Sequence, residues 1–82
     1  MGDVTRLHRG YPMIPTQLHI LRTIADRQPV MNIDLFRAGP NIKRDSFAYH
    51  LRVLQRKNLI HVANRDGPVW MTMKGSEVIE NE

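Results

Sequence analysis

The stretch Tyr49-His50-Leu51-Arg52-Val53-Leu54-Gln55-Arg56-Lys57-Asn58-Leu59-Ile60 decides the reading of this chain. At about 100° per residue, Leu51, Leu54 and Asn58 share one side of a helix with Phe47, while Asp45, Tyr49, Arg52 and Arg56 share the opposite side. The first side predicts burial. The second is polar and basic, with Lys43, Arg44 and Ser46 beside it at the helix start. Asn58 is a residue that ends helices, and Leu59 to Asn64 then reads as a strand. The expectation is therefore a basic amphipathic helix over about 43–57 that runs directly into β structure.

Working outward toward the C-terminus, Arg65-Asp66-Gly67-Pro68 separates that strand from a second, Val69-Trp70-Met71-Thr72-Met73, and Asp-Gly supplies the positive φ values of a tight hairpin. Met71 and Met73, on alternating strand positions, are read as core or hairpin packing. Trp70 either anchors the hairpin to the helix before it or projects outward as a contact residue. A short final helix follows, carrying Val78 and Ile79, with Thr72 or Ser76 as cap.

Toward the N-terminus, Asn41 or Lys43 begins the basic helix, and a Lys43 cap would set Ile42 against Phe47. Gly39-Pro40 stops a brief helix, Ile33 to Ala38, capped by Asn32, and Val30-Met31 forms an extended link before it. A first helix opens at Pro15 or Thr16, presents Leu18, Leu21, Ile24 and Ala25, and ends at Gln28-Pro29, because a residue preceding proline avoids the α region. Residues 1–14, with Arg6, Arg9, Gly10 and Pro12 and no sustained period, read as an arm; residues 15–80 read as one domain.

Composition narrows the function. Eighty-two residues build one small core with no room for an enclosed cleft, and the absence of cysteine rules out disulfides and thiolate metal sites. No apolar run spans a membrane and the first residues lack a secretory pattern, so a cytoplasmic location is expected. The net charge of +4, from twelve Lys/Arg and eight Asp/Glu, permits nucleic-acid binding without demanding it. His8, His19, His50 and His61 never fall at i, i+3 or i, i+4, which argues against a metal site, and His50 is expected to border the core and hydrogen-bond a neighbour. There is no cysteine nucleophile, no paired carboxylates at a catalytic spacing and no phosphate-cradling glycine loop, so neither enzymatic activity nor a cofactor is expected.

The element order helix, link, helix, helix, hairpin, helix resembles the winged helix-turn-helix transcription regulators of the MarR and ArsR type over roughly residues 15–80. Two motifs carry the likeness. His50-Leu51-Arg52-Val53-Leu54 with Asn58-Leu59-Ile60 is similar to a His-Leu-x-x-Leu helix end followed by Gly-Leu-Val, and Met71-Thr72-Met73-Lys74-Gly75 is similar to the Leu-Thr-x-x-Gly that follows the wing. The implied fold is α+β and mostly helical: a three-helix winged helix-turn-helix with a two-stranded β-hairpin wing and a short C-terminal helix. Gly39-Pro40 departs from the smoother helix connection usual in those families. The long dimerising terminal helices and the metal-sensing cysteines of those families are also missing, and the size is closer to small stand-alone regulators of bacteria and phages.

The resemblance implies sequence-specific binding of double-stranded DNA, with the helix at 43–57 in the major groove and the wing, 64–69, on the adjacent minor groove. In that role Arg44 and Arg52 would fork onto guanine O6 and N7, Ser46 would donate to phosphate or a base, and Tyr49 would reach a phosphate or a thymine methyl. Asp45 would accept from cytosine N4 or hold Arg52 or Tyr49 in place. Lys43 stands at the helix start, Arg56 and Lys57 would grip phosphate, and Arg65 at the wing tip would enter the minor groove. The rival reading is a winged-helix protein-interaction module that binds a polymerase subunit or host protein. A homodimer, or another protein partner, would use the arm or the C-terminal helix.

Overall fold

The computed structural model describes residues 13–65 and 67–81. They form α1 (Pro15–Arg27), α2 (Asn32–Ala38), α3 (Arg44–Arg56), β1 (Ile60–Val62), β2 (Val69–Met71) and α4 (Met73–Glu80). Most of the arm lies outside the described residues; Met13 packs against the core and Ile14 is exposed at the N-cap of α1.

Helix α1 is the hub, packed against α2, α3, α4 and β2. Pro15 stands in its first turn, where the missing N–H costs nothing. Ile20, Leu21 and Ile24 are fully buried. The expected face was rotated: Leu18 and Ala25 are only half-buried, while Ile20, Gln17 and Thr23 turn inward. The rotation is larger than apolar spacing suggests because α1 is covered from several directions, so its buried arc is wide enough to take in polar residues that find local partners. Thr23 is one: its hydroxyl donates to the His19 carbonyl at 2.8 Å, one turn back.

Helix α2 starts at Asn32, so the cap position belongs to Met31 and no side chain caps it, contrary to the expected Asn32 cap. Val30, expected only as an extended link, exchanges two backbone hydrogen bonds with Val69, at 3.0 and 2.8 Å. The Gln28 side-chain carbonyl accepts from the Met71 N–H at 2.8 Å. Strand β2 is thus held on one edge by β1, in the antiparallel register Ile60 to Met71, His61 to Trp70 and Val62 to Val69, and on the other by the α1–α2 link.

The strands are shorter than the sequence suggests. Met73 is not a strand residue but opens α4, and it is 79% exposed rather than packed. The reason is Thr72, whose hydroxyl oxygen accepts from the Gly75 N–H at 3.1 Å and so turns the chain into a helix. Of the two positions expected for Trp70, the structure shows the outward one: half-buried, it lies against the His61 ring, centroids 4.7 Å apart, on the hairpin face away from the core.

Asn58, expected on the buried side of the basic helix, is exposed and lies beyond the helix end at φ 62°, in the left-handed region. There the Asn58 N–H bonds to the Gln55 carbonyl and the Leu59 N–H to the Leu54 carbonyl, both at 3.0 Å. These are the two bonds of a Schellman ending, which satisfies carbonyls the helix would leave bare. It also turns the chain so that Leu59 and Ile60 enter the core beside Leu54.

The two sequence motifs meet in space at this point. The Thr72 hydroxyl donates to the Asn58 carbonyl at 2.6 Å and the Thr72 N–H to the Leu59 carbonyl at 3.1 Å. Gly75 is buried directly against that Leu59 carbonyl, where a Cβ would overlap the oxygen. A second glycine, Gly67 at φ 103°, closes the wing turn through a 3.1 Å bond to the Asn64 carbonyl and backs onto Met31 and Asn32.

Candidate nucleic-acid interface

Helix α3 is positioned by its apolar side. Lys43 is the N-cap, without a side-chain cap, and Ile42 before it packs on the core cluster to which Phe47 belongs. Phe47, Leu51 and Leu54 are buried. Each such burial contributes about 1.5–3 kcal/mol, which fixes the rotation of the helix and therefore the direction of its outer side.

A polar tie reinforces this rotation. Gln17 of α1 is 1% exposed, and its amide nitrogen lies 3.0 Å from His50 Nδ1 of α3. His50 borders the core and hydrogen-bonds a neighbour, as its position in the sequence suggests. The Gln17 Oε1 is buried with no hydrogen-bond partner among the described residues. Sequence reasoning missed Gln17 entirely, since nothing in a polar residue near a helix start announces burial.

The outer side of α3 is exposed at Asp45, Tyr49, Arg52 and Arg56, with Tyr49 at 56%. These four share one strip. Ser46 and Lys57 lie on one flank of it, and Lys43 precedes the helix. Asp45 makes no ion pair or hydrogen bond with Arg52 or Tyr49, so it does not hold either in place. The Tyr49 ring instead meets the His50 ring edge-on at 5.4 Å. Arg65 is exposed in the wing turn.

Arg44 departs from the group. Its guanidinium lies over the Phe36 ring of α2, 5.4 Å from the centroid, and Phe36 meets Phe47 edge-on at 5.1 Å. Arg44 and Phe47 of α3 thus both contact Phe36 of α2, an arrangement between two helices that no local spacing in the sequence reveals. Among the described residues, no cluster of three or more His, Cys, Asp or Glu is placed to hold a metal. None of the helices there is long and apolar enough to cross a membrane.

Three helices, a hairpin closed against the α1–α2 link and a capping fourth helix define a winged helix-turn-helix, with α3 in the position of its recognition helix. No family model and no curated protein matches the chain. Among solved structures, Staphylococcus aureus MarR, determined in complex with salicylate and kanamycin, is similar at a TM-score of 0.71 and 31% identity over 90% of this chain. This chain spans about half of that one, 51% of its length. The likeness shows the winged helix-turn-helix architecture.

Proposed function

We propose that this protein is a transcription regulator that binds double-stranded DNA sequence-specifically, with α3 in the major groove and the wing at 64–69 on the adjacent minor groove. The observation that carries the reading is the division of α3 into a buried side, Phe47, Leu51 and Leu54, and an exposed strip bearing Tyr49, Arg52 and Arg56. A helix anchored so firmly along one side offers the other as a rigid reading surface, and its planar and cationic side chains suit base edges and phosphates. Arg52 and Arg44 read guanine, and Asp45 accepts from cytosine N4. Ser46, Tyr49, Arg56 and Lys57 contact the sugar-phosphate backbone beside Lys43, and Arg65 follows the minor groove.

Binding to duplex DNA across a salt series tests the proposal. Roughly five phosphate contacts predict a slope of log affinity on log salt near about −4.5, or about 500-fold weakening between 50 and 200 mM. A slope shallower than about −1 would sink it and favour the protein-interaction module, for which exposed Tyr49 would be the contact anchor. Selection from random duplexes then gives the target and the assembly state. Half-sites about 10 bp apart report a homodimer, and a single short site reports a monomer.

A further inference from the structure

The stack of Arg44, Phe36 and Phe47 has a use in this reading of α3. Arg44 is the first residue of α3 and lies about 80° around the helix from Arg52, on the side toward α2. An arginine so placed and exposed would sample many rotamers, and fixing its fork at the moment of binding would reduce affinity for the target. Its guanidinium instead sits over the Phe36 ring at 5.4 Å, inside the range in which ring quadrupole and cation attract. Phe36 is itself held by its edge contact with Phe47, which is buried at 3% exposure. Arg44 has no hydrogen bond or ion pair with any other described residue, so the guanidinium rests over the ring with its N–H groups uncommitted to any of them.

We propose that Phe36, a residue outside the exposed strip of α3, is a positioning residue for base reading: it orders the Arg44 fork in the free protein. The proposal rests on α3 being the DNA-reading helix, and it assigns to α2 a part in specificity that does not involve touching DNA.

The test compares Phe36→Leu, Phe36→Tyr, Arg44→Ala and the double variant Phe36→Leu/Arg44→Ala, each first checked for a cooperative melt. The DNA probes are a duplex carrying the selected site and a scrambled duplex of the same length. Phe36→Leu should weaken the selected site about two- to five-fold while leaving the scrambled duplex and the salt slope unchanged. Phe36→Tyr, which keeps the ring, should retain parental affinity. In the Arg44→Ala background, Phe36→Leu should have no further effect on binding. Independently of DNA, the 15N order parameter of the Arg44 Nε–H should fall in Phe36→Leu and hold in Phe36→Tyr.

An equal loss on both duplexes, a further loss in the Arg44→Ala background, or an unchanged order parameter would each overturn the proposal. If Arg44→Ala leaves the selected site untouched while Arg52→Ala weakens it, Phe36 has no reader to position, yet α3 remains the reading helix. If the parent binds no DNA, both fail together.

Discussion

Replacing Gly75 with alanine sets two physical effects of opposite sign against each other. Gly75 lies in the first turn of α4, and within a helix alanine is favoured over glycine by about 1 kcal/mol. On propensity alone the variant should be more stable. The position, however, is buried against the Leu59 carbonyl, and the added Cβ would overlap that oxygen. The obstacle is backbone in the turn that ends α3, not the tip of a flexible side chain, so α4 must move.

Moving α4 puts at risk the bonds that hold it there: Thr72 hydroxyl to Asn58 carbonyl, Thr72 N–H to Leu59 carbonyl, and Gly75 N–H to Thr72 hydroxyl. Overpacking costs about 1–3 kcal/mol and each weakened bond about 0.5–1.5 kcal/mol. Set against the propensity gain, and with one of the three bonds weakened, a net loss of about 0.5–3.5 kcal/mol is expected. For a domain of this size each kcal/mol lowers the melting temperature by about 4–8 °C. Urea denaturation and thermal melting followed by circular dichroism would measure it. A Gly75→Ala variant melting at or above the parent would refute the argument, because it would mean that α4 has slack against Leu59.

Three further predictions follow from the same geometry. Asn58, at φ 62°, should tolerate glycine with unchanged or slightly higher stability, whereas Asn58→Ala should cost about 1 kcal/mol in urea unfolding; equal midpoints would show that the left-handed ending is not required. Gln17→Met removes a buried carbonyl oxygen that has no partner among the described residues, a gain of about 1–3 kcal/mol, and gives up one hydrogen bond to His50 worth about 0.5–1.5 kcal/mol. The variant should therefore be as stable as the parent or more so, and a loss above about 1 kcal/mol would mean that Gln17 Oε1 is satisfied in solution. On DNA, Arg52→Ala should cost about 1–3 kcal/mol at the selected site and little elsewhere, while Arg56→Ala should weaken all duplexes alike and reduce the salt slope by about one. Because both side chains are exposed, neither change should shift the melt, and a matched loss at the two positions would contradict the division of roles.

Much of the fold was readable because local signals agreed. The spacing of Phe47, Leu51 and Leu54 specified the buried side of α3, Gln28-Pro29 ended α1, and Thr72 was one of two candidate caps for α4. What escaped the sequence was whatever depends on contacts between distant elements. Asn58 was expected to end the helix and does, but its place on the apolar side of an ideal helix fails, because the helix stops before reaching it. Met73 continued the strand alternation until Thr72 capped the chain into α4. Gln17 is buried where α3 brings His50 to it, and Arg44, beside the strip rather than on it, rests on Phe36 of α2. Side-chain type and period identify a face, but cannot reveal what another element lays upon it.

The pairing of β2 on both of its edges bears on how this protein avoids sticking to itself. An isolated two-stranded hairpin offers two open rows of backbone donors and acceptors, each a template for adding a strand from another molecule. Here Val30 and the Gln28 side chain occupy the outer edge of β2. Among the described residues, no strand pairs with the outer edge of β1, which is three residues long, Ile60–Val62. A strand so short gives a foreign chain little to register against. Loosening the Val30 contact would expose Val69 and its neighbours, so conversion to aggregates on mild heating should begin with detachment of the α1–α2 link from the hairpin, before the helical core melts.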